Sequence, residues 1–380
     1  MNLHISYDEK FLDPFIENAK RYTNSENVYI VIDIYTGLKY VKTKDVIVCQ
    51  PEVAQIEVEV QKLSNIKRVY FHSFSPLFAV CSELIVFDSV KKHLLFYGVE
   101  LFGLKQFEGD FFLPKTKKYI KNIRSEYFKF RWSPIEMRRE IINYSHYSRL
   151  KKQNDQKITK ALEEFHAVGH FIEDDVKDYI QKVSPSIKWI NWNFFGMDVG
   201  ADKSFKQDPE NLDTLLLGNS ASPFNNHFDA LAHLEGLVTD LKIVAPLSYS
   251  GAEKYIKKVA KEGDKRFGSS FQPLLDFLPM EEYFALMKTV KAAVYFNLRS
   301  QAAGNILWLL TNNIPVFMLE ENNLYKMLKQ SGIEVYSVEK DLEEFLINAK
   351  PFTAHLKNSE SIKNVFGEQA MKKKYVNLLA

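Results

Sequence analysis

The strongest constraint in this sequence is a double run of short β-branched or aromatic segments, each segment followed by a helical pattern. In the first half the segments are Leu3 to Ile5, Val28 to Ile34, Val46 to Cys49, Arg68 to Phe71, Leu94 to Tyr97 and Ala167 to Phe171. In the second half they are Thr214 to Leu217, Lys242 to Ala245, Phe271 to Leu275, Ala293 to Phe296, Val316 to Leu319 and Glu334 to Tyr336. Between them run helical periodicities such as Val53, Ile56, Val60 and Leu63, whose three- and four-residue steps line one helical face. Alternation of strand and helix produces parallel sheets, so the pattern predicts an α/β protein with two Rossmann-like, doubly wound domains. A chain of 380 residues suits two domains better than one core, and two domains imply a central cleft.

The stretch Asn193 to Asp213 is rich in Gly, Asp, Asn and Lys and loses periodicity after Phe195, which marks a linker. A boundary near Asp202 divides the chain into residues 1–201, residues 202–350 and a closing segment, 351–380. In that segment the four-residue steps Ile362, Phe366 and Ala370 predict an amphipathic helix, with Gly367 inside it.

Composition narrows the class. The net charge is +2, from 50 Lys and Arg against 48 Asp and Glu, which argues against a general nucleic-acid binder. The longest apolar stretch, near Leu94 to Leu104, is broken by Glu100 and falls short of a membrane span. Met1 to Ile5 reads as a strand and lacks the basic-then-apolar pattern of a secretory signal, so a cytoplasmic protein is predicted. Cys49 and Cys81 stand in apolar surroundings without metal-ligand spacing and are expected as buried thiols, with no zinc site.

Ligands of an open α/β sheet lie beyond the carboxyl ends of its strands, so the residues directly after each strand are the informative ones. After Leu217 comes Gly218-Asn219-Ser220 and a polar loop leading to His227, whose free amides suit phosphate. Ser222 or Asn225 in that loop equally fits a helix N-cap. After Val244-Ala245-Pro246, Tyr249 is placed to reach a sugar or base. After Tyr295-Phe296, the run Arg299-Ser300-Gln301-Ala302-Ala303-Gly304-Asn305 leads into an apolar helix. There Arg299 offers planar charge-assisted donors, and Gly304 removes a Cβ from the approach of an anion.

The segment Lys115 to Lys152 carries twelve basic residues against three acids, interleaved with Tyr119, Tyr127, Phe128, Phe130, Trp132, Tyr144 and Tyr147. Such a run suits an anionic membrane surface. A solvated helix face and single-strand nucleic-acid stacking are the competing readings.

Leu217-Gly218-Asn219-Ser220 with His227, Val244-Ala245-Pro246, Arg299 to Gly304 before Ile314-Pro315-Val316, and Leu319-Glu320-Glu321-Asn322 occur in an order that resembles a known family. It comprises the bacterial N-acetylfucosamine (4-acetamido-4,6-dideoxygalactose) transferases that extend lipid II in enterobacterial common antigen synthesis, family fifty-six of glycosyltransferases. Tyr70-Phe71-His72-Ser73 and Gly98-Val99-Glu100-Leu101 resemble two first-half segments of that family, Glu100 standing where the family has aspartate. Glu320-Glu321-Asn322 replaces the family's Arg-Glu-Asn, and Arg299-Ser300-Gln301 its Arg-Gln-Gln.

The resemblance implies a GT-B fold, a dTDP-linked amino-deoxy sugar donor, a polyprenyl-diphosphate-linked saccharide acceptor and catalysis without a bound metal or cofactor. In two-Rossmann transferases a closing helix crosses back to the first domain. The implied donor site comprises Gly218, Asn219, Ser220, His227, Tyr249, Arg299, Gln301, Gly304, Asn305, Glu320, Glu321 and Asn322. Many GT-B transferases bind ribose with a glutamate seven residues before the proline here numbered 315; this chain has Trp308, which leaves ribose to Glu320 or Glu321.

Glycosyl transfer needs diphosphate stabilisation and, for inversion, a base for the acceptor hydroxyl. Arg299 and the helix entrances suit the first task. Glu100 and His72, both after first-half strands, suit the second, Glu100 preferred. The lipid-linked acceptor implies a protein held peripherally at the inner face of the cell membrane. A sugar-nucleotide 2-epimerase of similar architecture and a non-catalytic sugar-nucleotide-binding protein are the alternatives.

Overall fold

The computed structural model describes residues 1–34, 37–98, 104–107, 109–129, 152–194, 205–208, 210–238, 240–348 and 355–380. Glu100, most of the basic and aromatic segment, and the expected boundary near Asp202 lie outside these. The chain forms two compact units.

The first unit comprises Met1–Glu108, Trp132–Gly196 and Gly367–Ala380. Its sheet contains β1 (Asn2–Tyr7), β2 (Asn27–Ile32), β3 (Ile47–Cys49), β4 (Arg68–His72), β5 (Lys91–Leu95), β6 (Ala167–His170) and β7 (Lys188–Asn191). All pairs are parallel, in the order β3-β2-β1-β4-β5-β6-β7. The inner strands are buried on both faces, as a parallel sheet covered by helices requires. Helix α1 (Leu12–Tyr22) buries Leu12, Phe15, Ile16 and Ala19, one stripe at helical spacing. The other helices among its described residues include α2 (Val53–Gln61), α3 (Pro76–Ser82), α5 (152–163) and α6 (173–183), the last with a π turn at Val176–Ile180.

The closing segment differs from the single helix the sequence predicts. Gly367 adopts an extended conformation and divides two helices, α13 (His355–Phe366) and α14 (Glu368–Leu379). Only α14 belongs to the first unit. Its Met371, Tyr375, Leu378 and Leu379 share a core with Leu12, Phe15 and Tyr70, and Tyr70 Oη donates to the Leu378 carbonyl at 2.7 Å. The last strand, β7, has no counterpart among the segments the sequence pattern marks. It is a four-residue edge strand, Lys-Trp-Ile-Asn, with no fully buried residue, so it lacks the apolar run that betrays an inner strand.

The second unit comprises Gly109–Arg131 and Met197–Phe366. Its strands are β8 (Thr214–Leu217), β9 (Lys242–Pro246), β10 (Phe271–Leu274), β11 (Val290–Tyr295), β12 (Val316–Met318) and β13 (Tyr336–Ser337), all parallel in the order β10-β9-β8-β11-β12-β13. Around them lie α4 (Pro114–Lys129), α7 (His227–Leu234), α8 (Glu253–Phe267), α9 (Met280–Thr289), α10 (Ala303–Thr311), α11 (Asn323–Gln330), α12 (Leu342–Asn348) and α13. Both sheets reverse their winding beside the first strand, β1 in one and β8 in the other. That reversal opens a crevice at the carboxyl edge.

The sequence places residues 109–131 in the first domain, whereas in the structure they belong to the second unit. Asn226 Oδ1 accepts the Leu113 amide at 2.9 Å, and the Asp229 carboxylate accepts the Lys115 and Thr116 amides at 2.8 Å. These bonds seat the start of α4, where Tyr119 packs on Phe228 and Tyr255. Helix α13 likewise stays with the second unit, where Asn358 exchanges hydrogen bonds with the Glu334 backbone.

Candidate functional site

At the carboxyl end of β8 the backbone turns through Gly218, whose φ of +68° is a left-handed conformation. A Cβ there would lie 2.8 Å from Asn225 Oδ1. Asn225 is buried and braces the loop from within. Its Nδ2 donates to the Ser220 carbonyl at 2.9 Å, and its Oδ1 accepts the Asn219 amide at 3.4 Å.

Three further asparagines tie this loop to its neighbours. Asn226 adopts the left-handed conformation, and its Nδ2 donates to the Phe296 carbonyl at 2.8 Å and the Phe111 carbonyl at 3.2 Å. Asn297 Nδ2 donates to the Phe224 carbonyl at 2.8 Å. Asn322 caps α11 through the Leu324 amide, while its Nδ2 donates to the carbonyls of Asn297 and Arg299 at 2.8 and 3.0 Å. Irregular backbone at the ends of buried strands must find hydrogen-bond partners, and amides that both donate and accept supply them. Among these, Asn322 was named from the sequence as a donor residue; here it is a buried brace. Asn226 and Asn297 were missed, although a polar residue directly after an apolar strand was the available signal.

On this frame the segment after β11 carries the charged and polar groups. Arg299 lies over the Phe224 ring, 4.4 Å from its centroid. Gln301 Nε2 donates to Asn219 Oδ1 at 3.3 Å, and Asn219 Nδ2 donates to Tyr249 Oη at 3.4 Å. Asn219 therefore links the loops after β8, β9 and β11. The Asn297 Oδ1, Ser300 Oγ and Gln301 Oε1 atoms are buried and have no hydrogen-bond partner among the described residues. Ala302 then takes a left-handed φ of +59° and begins α10 without a side-chain cap. The first intrahelical bond runs from Ile306 to Ala302, so the amides of Ala303, Gly304 and Asn305 precede it. Gly304 and Asn305 are exposed, and a Cβ at 304 would meet nothing within 4 Å. An uncapped helix start beside an arginine is an anion-binding arrangement.

Other expected residues lie elsewhere. His227 is the first residue of α7 and is fully buried; its Nδ1 meets Tyr255 Oη at 3.0 Å, and burial lowers its pKa to about 3. Its Nε2 is buried and has no hydrogen-bond partner among the described residues. Glu320 pairs with Lys340 at 2.8 Å, which holds its carboxyl below the usual range, and Glu321 is exposed. Tyr249 is partly exposed and stacks on the exposed Phe277 ring, 5.7 Å between centroids.

In the first unit, His72 ends β4 but faces inward. Tyr97 Oη meets His72 Nδ1 at 3.2 Å, His72 Nε2 meets His4 Nδ1 at 3.0 Å, and His4 Nε2 meets Asn27 Oδ1 at 3.2 Å. One assignment satisfies the chain: the amide oxygen of Asn27 accepts from His4, His4 accepts from His72, and His72 accepts from Tyr97. His72 is 1% exposed, and burial, with His4 beside it, lowers its pKa well below the ordinary value. Both ring nitrogens are committed, so His72 is a structural histidine and not the base. Glu100 lies outside the described residues.

Comparison with solved structures shows the same fold. The chain is similar to a glycosyltransferase from Rickettsia africae ESF-5 (13% identity, TM-score 0.62, covering 100% of this chain and 97% of that one). It is also similar to Anabaena Alr3699/HepE in complex with UDP (12%, 0.62, 100% and 99%). A third similar structure is the UDP-forming α,α-trehalose-phosphate synthase from Burkholderia vietnamiensis (8%, 0.64, 100% and 99%). Two parallel-sheet α/β units of this kind constitute the GT-B fold. Residues 173–380, more than half of the chain, match the model of a single family. The chain is thus a glycosyltransferase and belongs to the family described as 4-alpha-L-fucosyltransferase, glycosyl transferase group 56.

Proposed function

We propose that this glycosyltransferase moves an N-acetylfucosamine-like amino-deoxy sugar from a dTDP-linked donor to a polyprenyl-diphosphate-linked saccharide, in the synthesis of a cell-surface polysaccharide. The observation that carries the donor half is the convergence at one strand edge of Arg299, the Asn219–Gln301 bridge and the uncapped start of α10. The diphosphate lies against the amides of Ala303 to Asn305, with Arg299 offsetting the charge that develops as the glycosidic bond breaks. This arrangement uses no metal ion. Tyr249, beside Asn219, contacts the base or sugar, and Gly218 and Ser220 shape the floor. Glu320 and Glu321 remain the ribose candidates.

The acceptor side falls to the first unit, with Glu100 as base. The basic and aromatic segment 115–152 holds the enzyme peripherally on an anionic membrane at the cytoplasmic face, where a lipid-linked acceptor is found. Among the described residues no helix is long and apolar enough to cross a membrane.

A thermal-shift panel tests the donor. A ligand at a hundred times its Kd adds about 2.7 kcal/mol of stability to the form that binds it. dTDP is expected to raise Tm more than UDP or GDP, and Arg299→Gln to abolish most of that rise. Equal shifts for all three nucleotides would overturn the donor assignment. Product analysis with donor alone separates transfer from 2-epimerisation, since only the latter proceeds without acceptor.

A further inference from the structure

The opposite edge of the first sheet carries a second group of residues that glycosyl transfer leaves unused. Strands β4, β5, β6 and β7 start side by side, and each start is basic: Arg68, Lys91, His166 directly before Ala167, and Lys188. The register aligns them. Arg68 lies opposite Lys91, Ala167 opposite Lys188, and the His166 amide donates to the Lys92 carbonyl at 2.8 Å. With strands about 4.8 Å apart, the row extends over about 14 Å. Like charges directly opposite each other destabilise a sheet. Such a row is therefore an expense of the fold unless something of opposite charge lies against it.

The protein itself does not supply that charge by direct pairing. Among the described residues none of Arg68, Lys91 and Lys188 forms an ion pair, and nearby Glu164 is committed to Lys92 at 2.8 Å. The four basic residues line one cavity together with His93. The end of α14 lines it as well, through Asn377, Leu378 and Ala380. Asp88 and Glu163 border an adjacent groove that shares Lys91, His166 and Lys188.

His93 is the second, independent sign. It is 4% exposed, and both of its ring nitrogens are buried without a hydrogen-bond partner among the described residues. Its ring is held by Tyr70 at 4.8 Å and His166 at 5.7 Å between centroids. A buried imidazole with two idle nitrogens, in a cavity with three unpaired cations, lacks an anionic oxygen ligand.

We infer that this cavity, at the amino edge of the first sheet, is a binding site for a phosphate group. Its volume of about 240 Å³ is below the usual range for nucleotide-sized ligands, so the occupant is a phosphate, pyrophosphate or small phosphomonoester head. Arg68 supplies the planar fork, Lys91 and Lys188 point charges, and His93 and His166 neutral N–H donors.

The test is calorimetric titration of the full chain with inorganic phosphate and pyrophosphate at low salt, using Arg299→Gln as the background to silence the donor edge. One saturable site is expected in that background. Arg68→Gln with Lys188→Gln should weaken it at least tenfold, and His93→Phe, which keeps the ring stack, at least threefold. Sedimentation with phosphatidylcholine vesicles containing phosphatidic acid separates the sources. Segment 115–152 binds anionic vesicles in either case, so vesicle binding that the double substitution weakens assigns the site to a lipid phosphate, and phosphate binding with vesicle binding unchanged by it assigns the site to a soluble one. Absence of saturable binding, or binding unchanged in all three substitutions, overturns the inference.

Discussion

Replacement of Asn226 separates two costs that the site combines. The residue is fully buried, has φ +50°, and makes four side-chain hydrogen bonds, to the Leu113 amide and the carbonyls of Phe111, Phe224 and Phe296. Asn226→Gly keeps the left-handed backbone at little steric cost and deletes the bonds. An unsatisfied buried backbone group costs about 1–3 kcal/mol. The Leu113 amide and the Phe296 carbonyl are the short, well-placed partners, so a loss of about 2–6 kcal/mol is expected. Asn226→Ala adds the left-handed penalty, about 1–2 kcal/mol. Urea unfolding of the full chain, followed by the emission of Trp308, reads this directly, because Trp308 is the tryptophan of the second unit. The other three tryptophans are replaced by Phe in the reference protein. Two results would refute the reasoning: Asn226→Gly within about 0.5 kcal/mol of the reference, or Asn226→Ala no less stable than Asn226→Gly.

Glu100→Gln should abolish turnover while leaving dTDP binding intact, and near-normal activity would remove Glu100 as the base. Transfer activity should survive EDTA; loss restored by a divalent cation would contradict a metal-independent reaction. Cys81 is fully buried and its thiol is pushed up to about 12 by burial, with Cys49 beside it adding to the shift, so native protein at pH 8 should react with a thiol reagent only as fast as it unfolds. His227 has a folded pKa near 3 against 6.5 unfolded, so it contributes stability above pH 6.5 that is lost as pH falls toward 3. Each such histidine adds a slope of about 1.4 kcal/mol per pH unit in that window. His227→Phe should lower stability at pH 7, where Tyr255 loses its partner, yet flatten the acid limb by that slope; an unchanged limb would show that His227 is already protonated in the fold.

The sequence alone determined the two parallel sheets, because apolar runs four to six residues long, separated by helical periodicities, have few other ways to bury themselves. It also points to the loops after β8 and β11, because ligands of an open parallel sheet lie beyond the carboxyl ends of its strands. Gly218, Asn219, Arg299 and Gln301 are legible as a glycine, a cationic residue and polar residues shortly after apolar runs.

Tertiary structure decided what spacing cannot express. His72 and His227 follow or flank strand ends as catalytic histidines do, yet one turns into a relay of buried rings and the other into the α7–α8 packing. Direction of a side chain at a strand end depends on neighbours distant in sequence. The same holds for residues 109–131, which the two carboxamide and carboxylate side chains of Asn226 and Asp229 attach to the second unit across more than a hundred residues. The row Arg68, Lys91, His166 and Lys188 is scattered over the sequence and unremarkable in each place. Only parallel register, which starts four strands at one level, makes it a single charged surface.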